Sequence, residues 1–441
     1  MQRSLVIKKL AEVFLASGIN SPFLTSRCAV VLGRNWRWLR PLADRYVVTF
    51  SNRIRPSYRE VLSFLETDTG LKEAFTRNSG QFEIKQWIEE TPHMRPVPAA
   101  QAWPVPPIET TGALAEWLWL DAGHLEWYAD LKAFAETSIS EKLSHYSYHV
   151  LRKRTGSVRL IEAPKRQIKK LQTQILEWIL NPVPPHPAVH GFIAKRSITT
   201  FVAPHTGQRV VLKMDLRNFF PSLRAARIQA FFRTAGYPDE VAQLLTGVCT
   251  NITPRRFWRA PELNLTLQEI QDMRDLYGRP HLPQGAPTSP ALANLCAWRL
   301  DCRLQALAAS AGAQYTRYAD DLVFSGDEHF DRSVSRFSAH IGAVVLEEGF
   351  AIHHAKTRIM RQGQQQRVAG LVVNQHANVA RPDYDRLKAI LTNCIRHGPE
   401  SQNQNAHTSF RQHLEGHISF VHMVNPAKAL RLRALFDQIA W

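Results

Sequence analysis

The architecture of the chain is best inferred from the stretch Tyr315-Thr-Arg-Tyr318-Ala-Asp320-Asp321-Leu-Val-Phe-Ser325. Aromatic and branched residues, which favour strands, flank two adjacent aspartates on both sides. A short polar break between two such runs predicts a tight β-hairpin with the acids at its tip. Because neighbouring carboxylates repel each other, Asp320 and Asp321 favour a divalent cation nearby. A solvated turn is the alternative for an isolated Asp-Asp pair.

A third acid follows a predicted strand upstream of this hairpin. The run Val210–Met214 is mostly apolar and ends at Asp215, which precedes two aromatic residues and a proline. Buried strands of α/β sheets deliver acids to their carboxyl ends, where active sites lie. We therefore expect Asp215, Asp320 and Asp321 to converge from two adjacent strands. Such a ligand set suits two Mg²⁺ ions, roughly 3.5–4 Å apart, that clamp an attacking hydroxyl and a leaving phosphate oxygen.

Between these acids lies a turn rich in glycine and proline, Leu282-Pro-Gln-Gly-Ala-Pro-Thr-Ser-Pro-Ala-Leu-Ala-Asn294. A helix is predicted to start at its end, with Ser289 as the N-cap and Pro290 as the first helical residue. Ser289 and Asn294 are interpreted as a cap and a helix-surface residue, and neither is assigned to the site.

Five motifs follow one another along the chain: Asp215-x-x-x-Phe-Phe220, Pro283-Gln-Gly-Ala-Pro-Thr-Ser-Pro290, Tyr318-Ala-Asp-Asp321, His354-Ala-Lys356-Thr and Val368-Ala-Gly370. In this order they resemble the motif series of bacterial reverse transcriptases, and most closely the retron type. The resemblance covers residues 141–441 and, more weakly, the segment that begins near Trp103. It implies an α+β right-hand polymerase fold with fingers, palm and thumb.

The resemblance also implies a role for each matching residue. Arg159, on a predicted basic hairpin, would grip the incoming triphosphate, a task that suits a planar guanidinium. Phe220 would stack under the sugar and exclude a 2′-hydroxyl, and Gln284 would contact the nucleotide. Lys356 would stand near the leaving pyrophosphate as a proton donor. Solvated cations at Arg159 and Lys356, and a core aromatic at Phe220, are the structural alternatives.

The sequence departs from the retron pattern at two places. His205 matches the histidine that ends a retron-specific region, but Phe201 and Val202 replace the usual Asn-Ala pair. Ala369 stands where a threonine is usual. A lone histidine is most often structural, so no catalytic role is expected for His205. The predicted hairpin around Arg159 has Thr155-Gly156 as its turn, with Lys153 and Arg154 as solvated cations.

Composition sets further limits. The chain has 441 residues, of which 44% are hydrophobic, enough for two or three domains with sizeable cores. The net charge of +17 points to nucleic acid as a partner in preference to a membrane. Five scattered cysteines suggest neither a disulfide framework nor a zinc site, which fits a reducing cytoplasm. With no signal peptide or long apolar run, a cytoplasmic protein is expected.

Five segments are predicted along the chain: a basic helical N-terminal domain (1–91), a proline-rich linker (92–107), a helical hairpin (108–140), reverse transcriptase fingers and palm (141–380) and a helical thumb (381–441). In the first segment, arginines alternate with tryptophans over Arg34–Arg40. This pattern predicts either nucleic-acid contact through phosphates and stacking or a helix with packed tryptophans and solvated arginines.

The predicted function is an RNA-directed DNA polymerase that uses dNTPs. If it is a retron enzyme, the resemblance implies a structured non-coding RNA whose guanosine 2′-hydroxyl primes synthesis, and a branched RNA-linked DNA (msDNA) as product. It further implies anti-phage defence with an effector protein. The alternatives are a stand-alone defence or CRISPR-associated reverse transcriptase, a catalytically silent RNA-binding protein of the same fold, and a helix-rich DNA-binding module that carries the motifs by accident.

Overall fold

A computed structural model describes residues 2–16, 21–51, 56, 58–78, 82–85, 93–134, 143–152, 158–260 and 263–441. The predicted Thr155-Gly156 turn, with Lys153 and Arg154, lies outside these residues. The chain divides into two compact units. The first comprises Met1–Leu131 and Gln229–Thr246, and the second comprises Lys132–Ile228 and Gly247–Trp441. Helices and antiparallel sheets are both present, so the α+β class predicted from the sequence is confirmed.

The first unit begins with the helices α1 (Gln2–Ala16), α2 (Ser21–Val31), α3 (Leu39–Phe50), α4 (Tyr58–Thr67) and α5 (Thr69–Arg77). Apolar residues at helical spacing, such as Leu10, Leu42 and Leu65, meet in one core. Asp68 caps α5 by accepting the N–H of Leu71 at 2.7 Å. The amphipathic helices therefore cover a common core, as the apolar periodicity predicts.

The tryptophans of the Arg34–Arg40 segment pack within this unit. The ring centroids of Trp36 and Trp38 lie 5.0 and 5.6 Å from that of Phe82. The arginines of the segment are exposed, and the Arg34 guanidinium covers the Trp36 ring at 4.9 Å. The structure thus favours packing for the tryptophans and leaves the arginines on the surface.

The proline-rich segment is irregular apart from one 3-10 turn, Pro98–Ala100. It is hydrogen-bonded within the first unit, because Arg95 N donates to Gly236 O at 2.8 Å and the Tyr237 hydroxyl donates to Pro106 O at 3.1 Å. The segment is therefore fastened to the unit along part of its length.

Two helices follow, α6 (Thr111–Trp117) and α7 (Ala122–Ala129). From the sequence, Asp121-Ala-Gly123 is expected to form the turn of the helical hairpin. Only Asp121 lies before α7, which it caps by accepting the N–H of His124 at 2.8 Å. Gly123 consequently lies inside the helix.

The second unit opens with an antiparallel hairpin of β1 (Tyr146–Arg152) and β2 (Val158–Pro164). The helices that follow along the chain are α8 (Arg166–Ile175), α9 (Ile198–Val202), α10 (Phe219–Ser222), α11 (Ala225–Thr234), α12 (Asp239–Cys249), α13 (Leu267–Tyr277), α14 (Ser289–Cys296), α15 (Trp298–Ser310), α16 (Glu328–Glu347), α17 (Arg381–His397), α18 (Phe410–Val424) and α19 (Pro426–Phe436). Most of α11 and α12 belongs to the first unit, which includes Gln229–Thr246. Shorter turns of helix are Leu176–Leu180 (π) and, of 3-10 type, Ala203–His205, Phe257–Arg259, His354–Lys356 and Pro399–Ser401.

A four-stranded antiparallel sheet forms the centre of the second unit. Its strands are β3 (Val210–Asp215), β4 (Gln314–Tyr318), β5 (Asp321–Gly326) and β6 (Arg358–Arg361), in the order β4-β5-β3-β6. Asp215 lies at the carboxyl end of a buried strand, as predicted, in a sheet that is antiparallel. The acid reaches its place because the end of β3 pairs with the beginning of β5.

A small sheet and three helices complete the second unit. The strands are β7 (Arg367–Val368), β8 (Leu371–Val372) and β9 (Asn378–Val379). Val368 and Leu371 share one apolar core with Leu391 of α17, Leu414 of α18 and Leu432 of α19. The C-terminal segment is therefore helical, as predicted, and the apolar residues of its helices pack in this core. No helix among the described residues is long and apolar enough to cross a membrane.

His205 holds two strands of the central sheet together. It is fully buried, with Nδ1 2.6 Å from Ser325 Oγ on β5 and Nε2 2.7 Å from Thr316 Oγ1 on β4. Burial lowers the pKa of His205 from 6.5 to about 3. The imidazole is therefore neutral in the folded protein and serves as a hydrogen-bonding element of the core.

This gives a pH-dependent prediction for His205→Gln. Between pH 3 and 6.5 the unfolded chain takes up a proton at His205 and the folded chain does not, so the stability of the native protein falls as pH falls, by about 1.4 kcal/mol per pH unit. The free energy of unfolding of the native protein minus that of the variant should therefore shrink by about 2 kcal/mol from pH 7 to pH 5. Urea unfolding at both pH values measures it. The exposed His340→Gln control should show no such change, and a pH-independent difference for His205→Gln would contradict the assignment.

Candidate active site

Three aspartates meet where β3 ends and β5 begins. Asp215, the last residue of β3, lies opposite Asp321, the first residue of β5. Asp320 precedes it in the turn, and its carbonyl oxygen accepts the N–H of Leu216 at 2.8 Å. The structure thus brings together the three acids singled out from the sequence, on two adjacent strands.

The hairpin that carries two of these acids turns through a strained residue. β4 ends at Tyr318 and β5 begins at Asp321, so Ala319 and Asp320 form a two-residue turn. Ala319 has a φ of +53°, a left-handed conformation that costs a non-glycine residue roughly 1–2 kcal/mol. Gly191 packs against this turn, and a Cβ atom there would lie 2.8 Å from Ala319 N. Position 191 is therefore restricted to glycine by the close approach of the hairpin.

A buried arginine supports the turn from behind. The Nε and Nη2 atoms of Arg317 donate to the two carboxylate oxygens of Asp301, both at 2.7 Å, and neither side chain is exposed to solvent. Nη1 donates to Ala319 O and to Asn294 Oδ1, both at 3.1 Å. A buried charge is tolerated only when it is paired and hydrogen-bonded. This network therefore ties α14 and α15 to the carbonyl group that fixes the turn.

Lys356 is an ion-pair partner of Asp215. Its Nζ donates to both carboxylate oxygens, at 2.9 and 2.8 Å. The backbone explains the position, because His353 N donates to Asp215 O at 2.7 Å and places the following 3-10 turn beside the end of β3. The lysine expected near a leaving group therefore lies at the acids themselves.

Lys213 is a second cation at the acids that the sequence reasoning missed. Its Nζ is 3.1 Å from Asp321 Oδ1. Because side chains alternate along a strand, Lys213 and Asp215 share one face of β3. That period of two is the signal that could have identified it.

The local electrostatics disfavour negative charge at the hairpin. Burial raises the pKa of Asp320, and repulsion from Asp215 and Asp321 raises it further. Burial likewise raises the pKa of Asp321, and the charge of Lys213 opposes this shift. Additional positive charge would stabilise the ionised acids.

The donor set suits a hard divalent cation. Carboxylate oxygens are the ligands that Mg²⁺ prefers, and three carboxylates face two ammonium groups. Within the described parts of the chain, however, no group of three Asp, Glu, His or Cys side chains is already arranged to hold a metal ion. Instead, Lys356 Nζ contacts both oxygens of Asp215, and Lys213 Nζ contacts one oxygen of Asp321. A metal ion would have to displace these ammonium groups.

Phe220 follows β3 in a short helix, after Asn218 has turned the backbone with a φ of +52°. The ring of Phe219 is buried and lies 5.7 Å from that of Phe350. Phe220 is only half-buried, and its ring centroid is 6.4 Å from that of Phe192. The aromatic predicted to select the sugar is thus the accessible one of the two.

Gln284 and Arg159 are positioned by β2. The carbonyl oxygen of Gln284 accepts the N–H of Glu162 at 2.8 Å. Gly285 has a φ of +137°, and a Cβ atom there would lie 2.7 Å from Glu162 O. Arg159 lies on the same strand and is half-buried. These two candidates therefore lie close to β2, whereas the acids and Lys356 lie together where β3 ends.

Glu162 is a buried anchor that the sequence reasoning also missed. Its side chain is inaccessible to solvent, and Oε1 accepts from Asn251 Nδ2 at 2.8 Å and from Thr253 Oγ1 at 3.0 Å. His281 Nε2 lies 2.9 Å from Oε2. Because these partners are far from Glu162 in sequence, no local pattern indicates the network. It holds β2 against the segment that leads into the Gln284 loop.

The start of α14 corrects two interpretations. The helix begins at Ser289 with Thr288 at the N-cap position, so the prediction of Ser289 as the cap is wrong. The Ser289 hydroxyl donates to Pro283 O at 2.7 Å and fastens the loop. Asn294 is buried, not on the helix surface, because it bridges Arg317 to the carbonyl of Gly191.

Known proteins with related sequences match this chain closely. A family model for reverse transcriptase (RNA-dependent DNA polymerase) matches residues 151–376, more than half of the chain. The retron Mx162 reverse transcriptase of Myxococcus xanthus is 35% identical over 346 residues, which is 75% of this chain and 67% of that protein. The retron Ec86 reverse transcriptase of Escherichia coli is 32% identical over 276 residues, 62% of this chain and 74% of that protein. The chain belongs to the reverse transcriptase family, and within it to the bacterial retron type.

The family assignment confirms the enzyme class predicted from the motifs, an RNA-directed DNA polymerase. Enzymes of this family use divalent metal ions, in agreement with the donor set at the hairpin. The retron Mx65 reverse transcriptase of Myxococcus xanthus is 42% identical over 293 residues, 66% of this chain. That match covers 64% of the Mx65 protein, slightly less than two thirds of its length.

The buried pair behind the hairpin yields a prediction for this reverse transcriptase. Asp301→Asn leaves the Arg317 guanidinium buried without a carboxylate, so the free energy of unfolding should fall by about 3–5 kcal/mol. In Asp301→Leu/Arg317→Met both charges are replaced by apolar groups, and most of the stability should return. Nucleotide incorporation should stay low in the double variant, because the carbonyl of Ala319 has lost its donor. Urea unfolding and primer extension measure the two effects. Full activity in a stable double variant would show that the Asp301–Arg317 pair has a purely structural role.

Proposed function

We propose that the protein copies a structured non-coding RNA into branched, RNA-linked DNA by nucleotidyl transfer with two metal ions. The observation that carries this proposal is the pairing of β3 with β5, which sets Asp215 opposite Asp321 with Asp320 in the adjoining turn. The retron relatives support the same conclusion, since their alignment with this chain extends well beyond the motifs.

We infer that Asp215, Asp320 and Asp321 hold two Mg²⁺ ions. When bound, such ions lower the pKa of the primer hydroxyl and neutralise charge on the β- and γ-phosphates. Before binding, the ammonium groups of Lys356 and Lys213 keep two of the three acids paired at the site. Because hydrogen bonds from the backbone fix both strand ends, the carboxylates need only side-chain rotation to exchange these partners.

Lys356 has a second part in the proposal. Nearly half of its side chain is exposed (47%), whereas only 6% of the Asp215 side chain is. The ammonium group is thus free to move when Asp215 exchanges its partner. We propose that it then donates a proton to the leaving pyrophosphate, where negative charge grows as the bond breaks.

Residues close to β2 and a residue beyond the end of β3 together hold the nucleotide. Arg159 on β2 orients the triphosphate through its planar guanidinium. Gln284 contacts the nucleotide from the loop that Glu162 fixes to the same strand. Phe220, half-buried beyond the end of β3, stacks under the sugar and excludes a 2′-hydroxyl.

We assign the elements of the second unit to the parts of a right-hand polymerase. The β1–β2 hairpin belongs to the fingers and the central sheet to the palm, both within residues 141–380. Helices α17, α18 and α19 form the thumb, residues 381–441. The basic helical domain (1–91), the proline-rich linker (92–107) and the helical hairpin (108–140) precede them.

The net charge of +17 supports an RNA or RNA–DNA partner, because neutralising phosphates dominates nucleic-acid affinity. The non-coding RNA serves as template and, through the 2′-hydroxyl of a guanosine, as primer. On the family relationship alone, the proposal extends to anti-phage defence with an effector protein.

The proposal predicts a covalent RNA–DNA product. Expressed with its native flanking DNA, the protein should co-purify with one discrete nucleic acid whose DNA band on a denaturing gel shortens after RNase treatment. Asp320→Asn/Asp321→Asn should abolish that band, because both carboxylates lose their charge. A primed RNA template with Mg²⁺ and dNTPs tests the same variant in vitro, where incorporation should fall at least about 10³-fold.

A matched control uses Asp272→Asn/Asp275→Asn, which removes two exposed aspartates from α13 and should preserve the band. Incorporation on the primed template without any attached DNA in vivo would favour a stand-alone or CRISPR-associated enzyme. Defined RNA binding without incorporation in either assay would favour the silent RNA-binding protein.

A second prediction concerns sugar selection. Phe220→Ala opens the space next to the 2′ position, so the preference for dNTPs over rNTPs, as a ratio of kcat/KM values, should fall roughly 10- to 100-fold. Single-nucleotide extension with matched dNTP and rNTP measures it. Phe220→Tyr keeps the ring and should keep the preference. An unchanged ratio in Phe220→Ala would exclude this residue as the sugar gate.

A further inference from the structure

The loop His190–Arg196 runs directly along the hairpin that carries Asp320 and Asp321. His190 N donates to Arg317 O at 2.8 Å, and Arg317 N donates to Ala188 O at 2.8 Å. Asn294 Nδ2 donates to Gly191 O at 2.8 Å. Three hydrogen bonds and the close approach of Gly191 to the turn thus fix the backbone on the N-terminal side of Phe192.

Phe192 has an unfavourable backbone conformation and an unfavourable environment. Its φ is +61°, a left-handed value that is rare for a bulky side chain. The residue remains 54% exposed, so burial of the ring does not compensate for this strain. A glycine would relieve the strain, and a polar residue would suit the solvent. Strained residues of this kind persist at functional sites, where the surrounding structure holds them in place.

The neighbours of the ring indicate what it binds. Its centroid lies 6.4 Å from that of Phe220, inclined at 63°, and 6.0 Å from that of Tyr318, inclined at 46°. Phe192 therefore lies next to both the proposed sugar gate and Tyr318, the residue that precedes the acid turn. Lys195, in the same loop, is exposed and also has a positive φ, +64°. An accessible aromatic face with a cation nearby suits a nucleobase and its phosphate.

We propose that Phe192 stacks on a nucleobase at the point of incorporation. The inference rests on the proposed polymerase function and adds a base-contacting residue to it. The ligand is the π-face of a base, which the incoming dNTP and the template strand can both supply. In this role the strained loop holds an aromatic platform beside the acids.

The test uses Phe192→Ala with a defined DNA primer on an RNA template. Loss of stacking should weaken one binding step by about 5- to 150-fold. If the base belongs to the incoming nucleotide, the KM for dNTP rises and the Kd of the duplex, measured by fluorescence anisotropy, stays constant. If it belongs to the template, the Kd of the duplex rises. Phe192→Trp should retain wild-type values, because it keeps an aromatic face.

A purely structural role would give a different result. Phe192→Gly relaxes the backbone, so its thermal unfolding midpoint should equal or exceed that of the native protein while the binding defect persists. A midpoint several degrees lower would show that the ring stabilises the fold and would overturn the proposal. Leu346→Ala, which truncates an exposed apolar residue on α16, should change neither midpoint nor binding.

Failure of this inference is distinguishable from failure of the proposed function. If the native protein incorporates nucleotides and Phe192→Ala matches it in KM and in duplex Kd, only the role of Phe192 is excluded. If the native protein incorporates no nucleotide, the proposed function fails. In that case stacking on an incoming nucleotide fails together with the function, and the anisotropy measurement decides the template alternative. A raised duplex Kd in Phe192→Ala would support stacking on the template, and an unchanged Kd would overturn the inference.

Discussion

Antiparallel pairing of β3 with β5 is the constraint on which the rest of the site depends. Because Asp215 ends one strand where Asp321 begins the other, the register alone sets two carboxylates side by side. A slip of one residue would turn the side chains of one strand to the opposite face. Fully buried apolar residues such as Leu212 and Phe324, which are partners in this register, oppose such a slip. The same residues that build the core of the sheet therefore also set the geometry of the acids.

Placing three acids together is unfavourable, and the fold offsets this with cations of two kinds. Lys356 and Lys213 contact the acids directly, remain partly accessible and can exchange with a metal ion. Arg317 is different, because it is inaccessible to solvent and paired with Asp301 on the far side of the turn. The Asp301 carboxylate neutralises the charge of Arg317. The Nη1 atom donates to Ala319 O and stabilises the turn. Lys356 and Lys213 thus balance the charge of the acids, and Arg317 determines where the acids lie.

The sequence allowed the hairpin, the acids and the chemical class to be predicted, since these follow from local composition and from motifs in a fixed order. The position of Asp215 at the end of a buried strand was also predictable, but the antiparallel pairing of that strand with β5 was not, because strand pairing is a tertiary property. Lys213 was within reach of a period-two argument along β3. Asn294 and Glu162 were not, because each acts through partners that are distant in the chain. In the local sequence, Asn294 looks like a helix-surface residue and Glu162 looks like an ordinary hairpin residue. Only the tertiary contacts show that both are buried.

Three non-glycine residues with positive φ lie next to the acids in sequence or in space: Asn218, Ala319 and Phe192. Each is held by surrounding structure. Asn218 stands between the end of β3 and the short helix with Phe220, and the Ala319 carbonyl is bound by Arg317. Local sequence preferences disagree with the fold at such places, and natural proteins accept that disagreement mainly where function requires it. For Asn218 and Ala319 the function is direct. The turn at Asn218 sets the position of Phe220, and the turn at Ala319 sets the position of Asp320. Phe192 has the same kind of strain, although it is not an acid and does not end a strand. The function that accounts for its strain is the stacking proposed for its exposed ring.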